Sequence, residues 1–397
     1  MLKNIKSAVR GEPAALLAPV MALLLIVMPA AYTSTVNKAT PDIYINEYAG
    51  NDGFSISLST ANTGINTLAA DPENALVLKV QVRDGTGAAV PGARVRLEAS
   101  GKNRLSFPGG YGVFRPSEGT TDAGGVFLSQ YLPPAPLDNA PAENTVKLTA
   151  FLSGSENSSS VNIGLVPVPV ILVHGYQASP DIFAGLSEYL KQQGFNPVSI
   201  QYDSEKGVDK AAAELSQQLD RIKADLEDAG VQVSRFDLVT HSMGGLVARY
   251  YTCGSEYASR GDVRKLVFVS VPHKGSPFAS IGLHYYQDAS MEDMSTDSAL
   301  FTTVFPSMVN AGLNPSIEIG NILSLNDEVV SLANASLEDW NMETEVFDLG
   351  TGNLTVDNLL SGDILKAANH KLILYNKKVY RRIKEMLENR MPYPALK

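Results

Sequence analysis

The chain has 397 residues and a formal net charge of −10, with 42 acidic side chains against 32 basic ones. This length exceeds one ordinary domain, and an acidic surface argues against nucleic acid as a partner. A single cysteine, Cys253, excludes a disulfide within the chain and a metal site built from several cysteines. Because zinc-site spacings, phosphate-binding glycine loops and dinucleotide fingerprints are also missing from the sequence, we expect no metal and no cofactor.

Residues 1–33 have the composition of an export segment. Lys3, Lys6 and Arg10 precede an uncharged apolar stretch over residues 13–32, the arrangement of a signal peptide or a membrane anchor. The residues around Pro29 fit a cleavage site poorly, so removal and retention both stay open. In either case we expect export from the cytoplasm, to a secreted, periplasmic or membrane-anchored location, and a retained segment would associate the chain with a membrane or cell surface.

Residues 42–165 have the pattern of short β-strands. Apolar and polar side chains alternate over residues 75–83 and 93–98, and further strands are predicted at 124–128 and 146–150. Short strands separated by Gly, Pro and Asn turns favour an all-β sandwich. The string VQVRDGTGAAVPGARV, which begins at Val80, and the later TDAGG resemble bacterial Ig-like modules of the invasin and intimin type. That resemblance implies a spacer or adhesion module without chemistry of its own.

From residue 166 to residue 397, predicted strands alternate with helices. Apolar β-branched runs indicate buried strands, and apolar residues at helical spacing indicate surface helices between them. This alternation favours a doubly wound, mostly parallel α/β sheet covered on both faces. The predicted strands are residues 167–175, 197–202, 233–240 and 265–271, and the predicted helices are residues 180–193 and 208–229.

The segment LVTHSMGGLV, residues 238–247, is the most informative in the chain. An apolar strand stops at Ser242 and two glycines lead into a helix, which is typical of a nucleophile elbow. Strand and helix approach closely there, so the flanking positions must be small. Gly244 meets that demand, whereas Thr240 stands where the GxSxG pattern has glycine. Ser242 could otherwise be an ordinary helix N-cap.

Three motifs in order resemble the α/β hydrolase family, and within it the lipase and esterase branch. They are the strand ending in His174-Gly175, the elbow at Ser242 and the string PHKGSP that begins at Pro272. The resemblance implies an oxyanion hole formed by the backbone N–H groups of Tyr176 and Met243. It also implies that a catalytic acid and then a histidine follow the nucleophile along the chain.

Asp327 and His370 are the candidates for these two roles. Asp327 lies in a polar loop after a strand predicted at residues 316–325, and His370 is the only histidine after residue 284. His370, in a loop after the last strand predicted at 344–349, would take the proton of Ser242, and Asp327 would orient it.

Alternatives to these assignments stay open. Asp348 and Asp293 are rival acids, and His370 could be a solvated loop histidine. We interpret His174, His241 and His273 as scaffold. Residues 276–313 look like a cap or lid, with ordinary packing helices an equally good interpretation.

The sequence therefore predicts an exported serine hydrolase that cleaves lipid or other acyl esters through Ser242, His370 and Asp327. Acyl transfer and inositol deacylation would use the same triad and differ in the acceptor or in the ester attacked. A different class of function is a surface adhesin whose hydrolase-like part only binds. The apparently complete triad favours the enzyme.

Overall fold

The computed structural model describes residues 53–62, 64–101, 110–134, 144–284, 287–350 and 369–397. They belong to one compact unit, Thr40–Lys397. The predicted export segment, residues 1–33, lies outside the described residues, as does most of the loop predicted to precede His370. Within the described ranges, no helix combines the length and the apolar character needed to cross a membrane.

The first part of the described chain is built from β-strands alone. Two sheets enclose one apolar core, to which β-strand residues contribute every second side chain, as in Leu76, Leu78, Val80 and Val82. This confirms the period-two pattern predicted for residues 75–83. The strands are β1 (Phe54–Thr60), β2 (Thr67–Ala69), β3 (Leu76–Asp84), β4 (Arg94–Gly101), β5 (Val113–Arg115), β6 (Glu118–Thr120), β7 (Val126–Leu132), β8 (Thr145–Leu152) and β9 (Ser158–Val166).

The second part contains a six-stranded parallel sheet with the strand order β11-β10-β13-β14-β15-β16. All six residues of its central strand β13 are buried, because neighbouring strands and helices surround it. This confirms the predicted parallel α/β sheet. The remaining strands are β10 (Val170–Val173), β11 (Pro197–Ile200), β12 (Val231–Gln232), β13 (Phe236–His241), β14 (Val263–Val269), β15 (Glu318–Ser324) and β16 (Glu345–Phe347).

Helices cover this parallel sheet. The first and the last of them pack on the same apolar cluster as Leu172 and Val239 of the sheet, and the second packs against the third. The helices are α1 (Ala184–Gln192), α2 (Val208–Asp228), α3 (Met243–Cys253), α4 (Tyr257–Arg260), α5 (Pro277–Gly282), α6 (Ala289–Asp293), α7 (Phe305–Ser307), α8 (Leu332–Ala335), α9 (Asn369–Leu372) and α10 (Lys377–Glu388).

The chain order of the strands fixes where a site should form. After β10 the chain adds β11 on one side, and it then crosses to add β13 on the other side. Such a switch point opens a crevice at the carboxyl ends of the two strands, where open α/β sheets bind their ligands. Gly175 and Ser242 follow shortly after these two ends, so both lie at the crevice.

Hydrogen bonds join the two parts across the boundary predicted at residue 165. Strand β12 of the second part pairs in parallel with β2, so the sandwich sheet reads β12-β2-β9-β8-β4-β6. Beside it, Arg235 donates to both carboxylate oxygens of Asp71, from Nε at 2.7 Å and Nη2 at 2.5 Å. The all-β part is therefore attached to the α/β part by a shared sheet and a bidentate ion pair, which the sequence patterns did not predict.

The described residues of the segment 276–313 include several short helical turns. Besides α5, α6 and α7 they include a π-helical turn, Leu300–Val304, and a tight turn, Val309–Gly312, in which Asn310 and Ala311 have positive φ. The side chain of Arg249 in α3 reaches this segment, where Nε donates to Gly312 O at 2.7 Å and the guanidinium lies over the Phe305 ring. Arg249 thus joins the segment to α3, and both interpretations of the segment, a mobile lid and packing helices, stay predictions.

Candidate active site

Ser242 lies at the tight turn between β13 and α3. Its backbone has φ 53° and ψ −130°, a conformation that residues other than glycine rarely adopt. The turn is fixed on both sides, because Ser242 N donates to Val269 O at 3.0 Å and Gly245 N donates to Ser242 O at 2.9 Å. This is the strained geometry expected of a nucleophile elbow.

The glycines around Ser242 are needed for the close approach of strand and helix. A Cβ atom on Gly244 would lie 2.4 Å from His174 O and 2.5 Å from Val173 O. A Cβ atom on Gly175 would lie 2.8 Å from Cβ of Ser242. The departure from GxSxG is accommodated as well, since the buried Thr240 directs its hydroxyl to Val267 O at 3.4 Å, on the neighbouring strand β14.

The structure brings Ser242, His370 and Asp327 together in one chain of hydrogen bonds. His370 Nε2 lies 2.9 Å from Ser242 Oγ, and His370 Nδ1 lies 3.0 Å and 2.9 Å from the two carboxylate oxygens of Asp327. A carboxylate only accepts, so Nδ1 carries the proton and Nε2 is free to accept the serine hydroxyl proton. This is the tautomer that a general base requires.

Asp327 is held as a carboxylate by its surroundings. Burial alone would raise its pKa, but the neighbouring charge and hydrogen bond of His370, together with the backbone N–H of Val330, outweigh burial and lower the pKa below the ordinary 3.8. The Val329 N–H also donates to it, at 3.0 Å. Asp327 therefore remains charged while it orients the imidazole.

The two rival carboxylates are engaged elsewhere. Asp348 is exposed and accepts from Gly350 N at 2.9 Å. Asp293 accepts from Val208 N at 2.7 Å, at the start of α2. Neither is hydrogen-bonded to His370 among the bonds recorded for the described residues.

His241, next to the nucleophile, holds the backbone of His370. Its Nε2 donates to His370 O at 2.8 Å, and the two rings lie 4.8 Å apart. Complete burial, with the nearby His370 charge, lowers the pKa of His241 to about 3, so this ring is neutral at physiological pH. It can position His370 without competing for the serine proton.

A pair of asparagines, not predicted from the sequence, ties the His370 segment to the Asp327 loop. Asn369 Nδ2 donates to Asn326 O at 3.1 Å and to Gly350 O at 2.9 Å, and Asn326 Nδ2 donates to Gly350 O at 3.0 Å. Their only sequence signal is that each directly precedes a triad candidate, which is too weak to single them out.

The two predicted oxyanion donors directly follow residues of the nucleophile turn and of the Gly175 loop beside it. Met243 is the first residue of α3, so its N–H has no acceptor within the helix. Tyr176 follows Gly175, whose Cα lies against the Ser242 side chain. Their role as oxyanion donors stays a prediction, because it concerns a transition state.

The two other buried histidines, His174 and His273, are each hydrogen-bonded within the protein. Burial lowers the pKa of His174, whose Nδ1 donates to Gly175 O at 2.8 Å and whose ring stacks on Tyr202 at 4.4 Å. Burial likewise puts the pKa of His273 well below its ordinary value, and its Nε2 lies 3.3 Å from Asn321 Oδ1. In the described ranges, no three His, Cys, Asp or Glu side chains are grouped as metal ligands would be.

Comparison with known proteins supports the hydrolase interpretation. Residues 169–312 match the family model described as palmitoyl protein thioesterase. Two triacylglycerol lipases, from Pseudarthrobacter phenanthrenivorans and Burkholderia plantarii, are each 29% identical over 157 residues, which is 37% of this chain and 46% and 41% of theirs. The chain thus spans less than half the length of these curated relatives.

Among solved structures, lipase B of Aspergillus fumigatus is similar with a TM-score of 0.42 and 16% identity, over 57% of this chain and 54% of that one. A likeness this distant adds nothing to the sheet topology already described. The residues matched by the family model include Ser242 and strands β10 to β14.

Proposed function

We propose that this chain is a serine hydrolase that cleaves carboxylic esters through Ser242, His370 and Asp327. One observation carries the proposal, namely the 2.9 Å hydrogen bond between Ser242 Oγ and a His370 ring whose other nitrogen faces the buried Asp327. A serine that only capped a helix would need no imidazole on its hydroxyl and no carboxylate behind that imidazole. Nucleophile, base and orienting acid are each accounted for.

The geometry supports a two-step reaction. His370 Nε2 takes the hydroxyl proton as Ser242 Oγ attacks the carbonyl carbon, and Asp327 stabilises the imidazolium that forms. The N–H groups of Met243 and Tyr176 would stabilise the negative oxygen of the tetrahedral intermediate. The imidazolium then returns its proton to the leaving alcohol, and water, activated by the same base, releases the acid and restores the serine.

Lipid or other acyl esters are the proposed substrate class. Support comes from the triacylglycerol lipase relatives. The family match to palmitoyl protein thioesterase favours acyl thioesters as a second candidate. An oxygen ester and a thioester would form the same acyl-enzyme on Ser242, so the triad by itself does not choose between them.

Hydrolysis of matched esters tests the proposal. Wild-type protein should hydrolyse p-nitrophenyl butyrate, octanoate and palmitate, or the corresponding thioesters, while Ser242→Ala and His370→Ala should each lose activity by several orders of magnitude. Ser259→Ala is the matched control, because Ser259 is exposed and donates only to Glu256 O of the same helical turn. Equal activity in Ser242→Ala and wild type would refute the assignment.

The same assay addresses the alternative functions. Addition of an acceptor alcohol would divert the acyl group from water to a new ester if the chain were an acyltransferase. A wild-type chain that hydrolyses none of the oxygen esters or thioesters would instead favour the surface-binding interpretation.

A further inference from the structure

The loop that carries the predicted oxyanion donor Tyr176 is joined by its side chain to the segment over residues 276–313. The Tyr176 hydroxyl donates to Asp288 Oδ2. The other oxygen of the same carboxylate, Oδ1, caps helix α6 by accepting from Met291 N at 2.9 Å. Asp288 thus connects the oxyanion loop to the first turn of α6 with one side chain.

Helix α6 is in turn fixed to the start of α2. Gly207 N donates to the buried Ser290 Oγ at 2.8 Å, and Val208 N donates to Asp293 Oδ2 at 2.7 Å. Gly207 has φ 101°, and a Cβ atom there would lie 3.3 Å from Asp293 Oδ2, so the two segments are in tight contact. Asp288 therefore sits on a helix that cannot drift freely.

The loop that precedes α2 returns to the oxyanion loop and closes a ring of hydrogen bonds. Gln177 N donates to Ser204 Oγ at 2.9 Å, and Gln177 Nε2 donates to Glu205 Oε1 at 2.9 Å. We call this set, from Tyr176 through Asp288, α6 and the start of α2 back to Gln177, the oxyanion-loop ring.

The oxyanion-loop ring holds a strained backbone conformation at Gln177. Gln177 has φ 46°, a left-handed conformation that is strained for a residue other than glycine and persists only where the surroundings enforce it. Gly175, one residue before Tyr176, lies against Ser242. Relaxation of the loop would therefore move the Tyr176 N–H relative to the nucleophile.

We propose that Asp288 is a positioning residue, which holds the Tyr176 backbone N–H where the oxyanion forms. The inference rests on the proposed ester hydrolysis and adds a residue outside the triad to it. An oxyanion donor stabilises the transition state more than the bound substrate, so its displacement lowers kcat and leaves KM nearly unchanged.

Three variants of the full chain test the role of Asp288. Tyr176→Phe removes only the donor hydroxyl. Asp288→Ser keeps a hydroxyl that can cap α6, since Ser is as good an N-cap as Asp, but its side chain has no second oxygen to accept from the tyrosine hydroxyl. The third variant combines both changes. Tyr189→Phe, on α1, is the matched control, and p-nitrophenyl butyrate hydrolysis and inhibition by phenylboronic acid are the readouts.

Each single variant should lower kcat about tenfold, less than the roughly 100- to 1000-fold cost of removing an oxyanion donor outright. KM should stay within about twofold of wild type. The Ki of phenylboronic acid, which forms a tetrahedral adduct with an active serine, should rise by the same factor as kcat falls. The double variant should be no worse than either single variant within about twofold, because both changes break one hydrogen bond.

Failure of this inference and failure of the proposed function give different results. An active wild type with both variants equal to Tyr189→Phe would overturn the positioning role alone. So would a rise in KM at constant kcat, which would make Asp288 a substrate-binding residue, or a loss of activity matched by a lower melting temperature. An inactive wild type would overturn the proposed hydrolysis, and the positioning role with it.

Discussion

Gly244 gives the sharpest quantitative test of the elbow geometry. In Gly244→Ala the new Cβ atom would lie 2.4 Å from His174 O and 2.5 Å from Val173 O, about 1 Å short of the ordinary 3.4 Å contact. Both oxygens belong to the backbone at the end of β10, which cannot rotate away. Helix α3 must therefore move from the strand by an appreciable part of that distance, and Ser242 at its start must move with it.

The expected cost follows from that displacement. The Ser242–His370 hydrogen bond is 2.9 Å long, so a shift of several tenths of an ångström or more disrupts it. Misplacement by about 1 Å costs roughly 100-fold in rate, and overpacking costs about 1–3 kcal/mol, partly offset by the better helix propensity of alanine, worth about 1 kcal/mol. We therefore expect kcat to fall about 100-fold while the unfolding free energy falls by only about 0–2 kcal/mol.

The assay compares the two ends of the same helix. Gly254→Ala, at the end of α3, is the matched control because its Cβ atom would lie no closer than 3.3 Å from Tyr250 O at an ordinary φ of −67°. Ester hydrolysis and urea unfolding are measured for both variants. A Gly244→Ala enzyme with kcat within threefold of wild type would refute the close approach of strand and helix on which the elbow depends.

Three further changes have defined outcomes. Asp327→Asn should lower kcat about 10³- to 10⁴-fold while Asp348→Asn stays near wild type in steady-state kinetics, and the reverse result would transfer the acid role to Asp348. Since the pKa of Asp327 lies below the ordinary 3.8, its contribution to the unfolding free energy is present above that value and is lost as the pH falls through the lower folded-state pKa. The unfolding free energy measured with urea should therefore fall less between pH 5 and pH 2 in Asp327→Asn than in wild type. Parallel curves of unfolding free energy against pH would contradict this. Asp71→Ala leaves Arg235, whose side chain is 25% exposed, without its carboxylate, so the unfolding free energy should drop by about 2 kcal/mol. Arg96→Ala, which breaks a half-exposed ion pair, is the control and should change thermal unfolding little. Equal melting temperatures in Asp71→Ala and wild type would show that the Asp71–Arg235 ion pair does not stabilise the junction.

The parts of the fold that could be predicted are those with a local signal. Strand β3 alternates apolar and polar side chains, and β13 combines an apolar run with the turn at Ser242. Asp327 and His370 could be named because the order of acid and histidine along the chain limits the choice to a few residues. By contrast, β9 places Ser158, Ser159 and Ser160 where a strand usually carries apolar residues, and its pairing with β8 is set by a partner, which no local pattern reveals.

The contacts that could not be predicted join residues that are distant in sequence. The two-residue strand β12 has no periodicity of its own and forms only because β2 offers an edge. The bond from the Asn369 side chain to the Asn326 carbonyl and that from the Tyr176 hydroxyl to the Asp288 carboxylate span 43 and 112 positions. A hydrogen bond made by a single polar side chain leaves no pattern in the residues around it, so these contacts require the structure.

Covalent labelling of the serine hydroxyl is the most direct test of the proposed chemistry. The full chain is treated with an alkyl fluorophosphonate, digested and mapped by mass spectrometry, in parallel with Ser242→Ala and with Ser259→Ala as the control. An activated Ser242 predicts a single adduct on its peptide in wild type and control, and none in Ser242→Ala. An unlabelled Ser242 in folded wild-type protein, or an adduct of equal yield in Ser242→Ala, would contradict the assignment of this residue as the nucleophile.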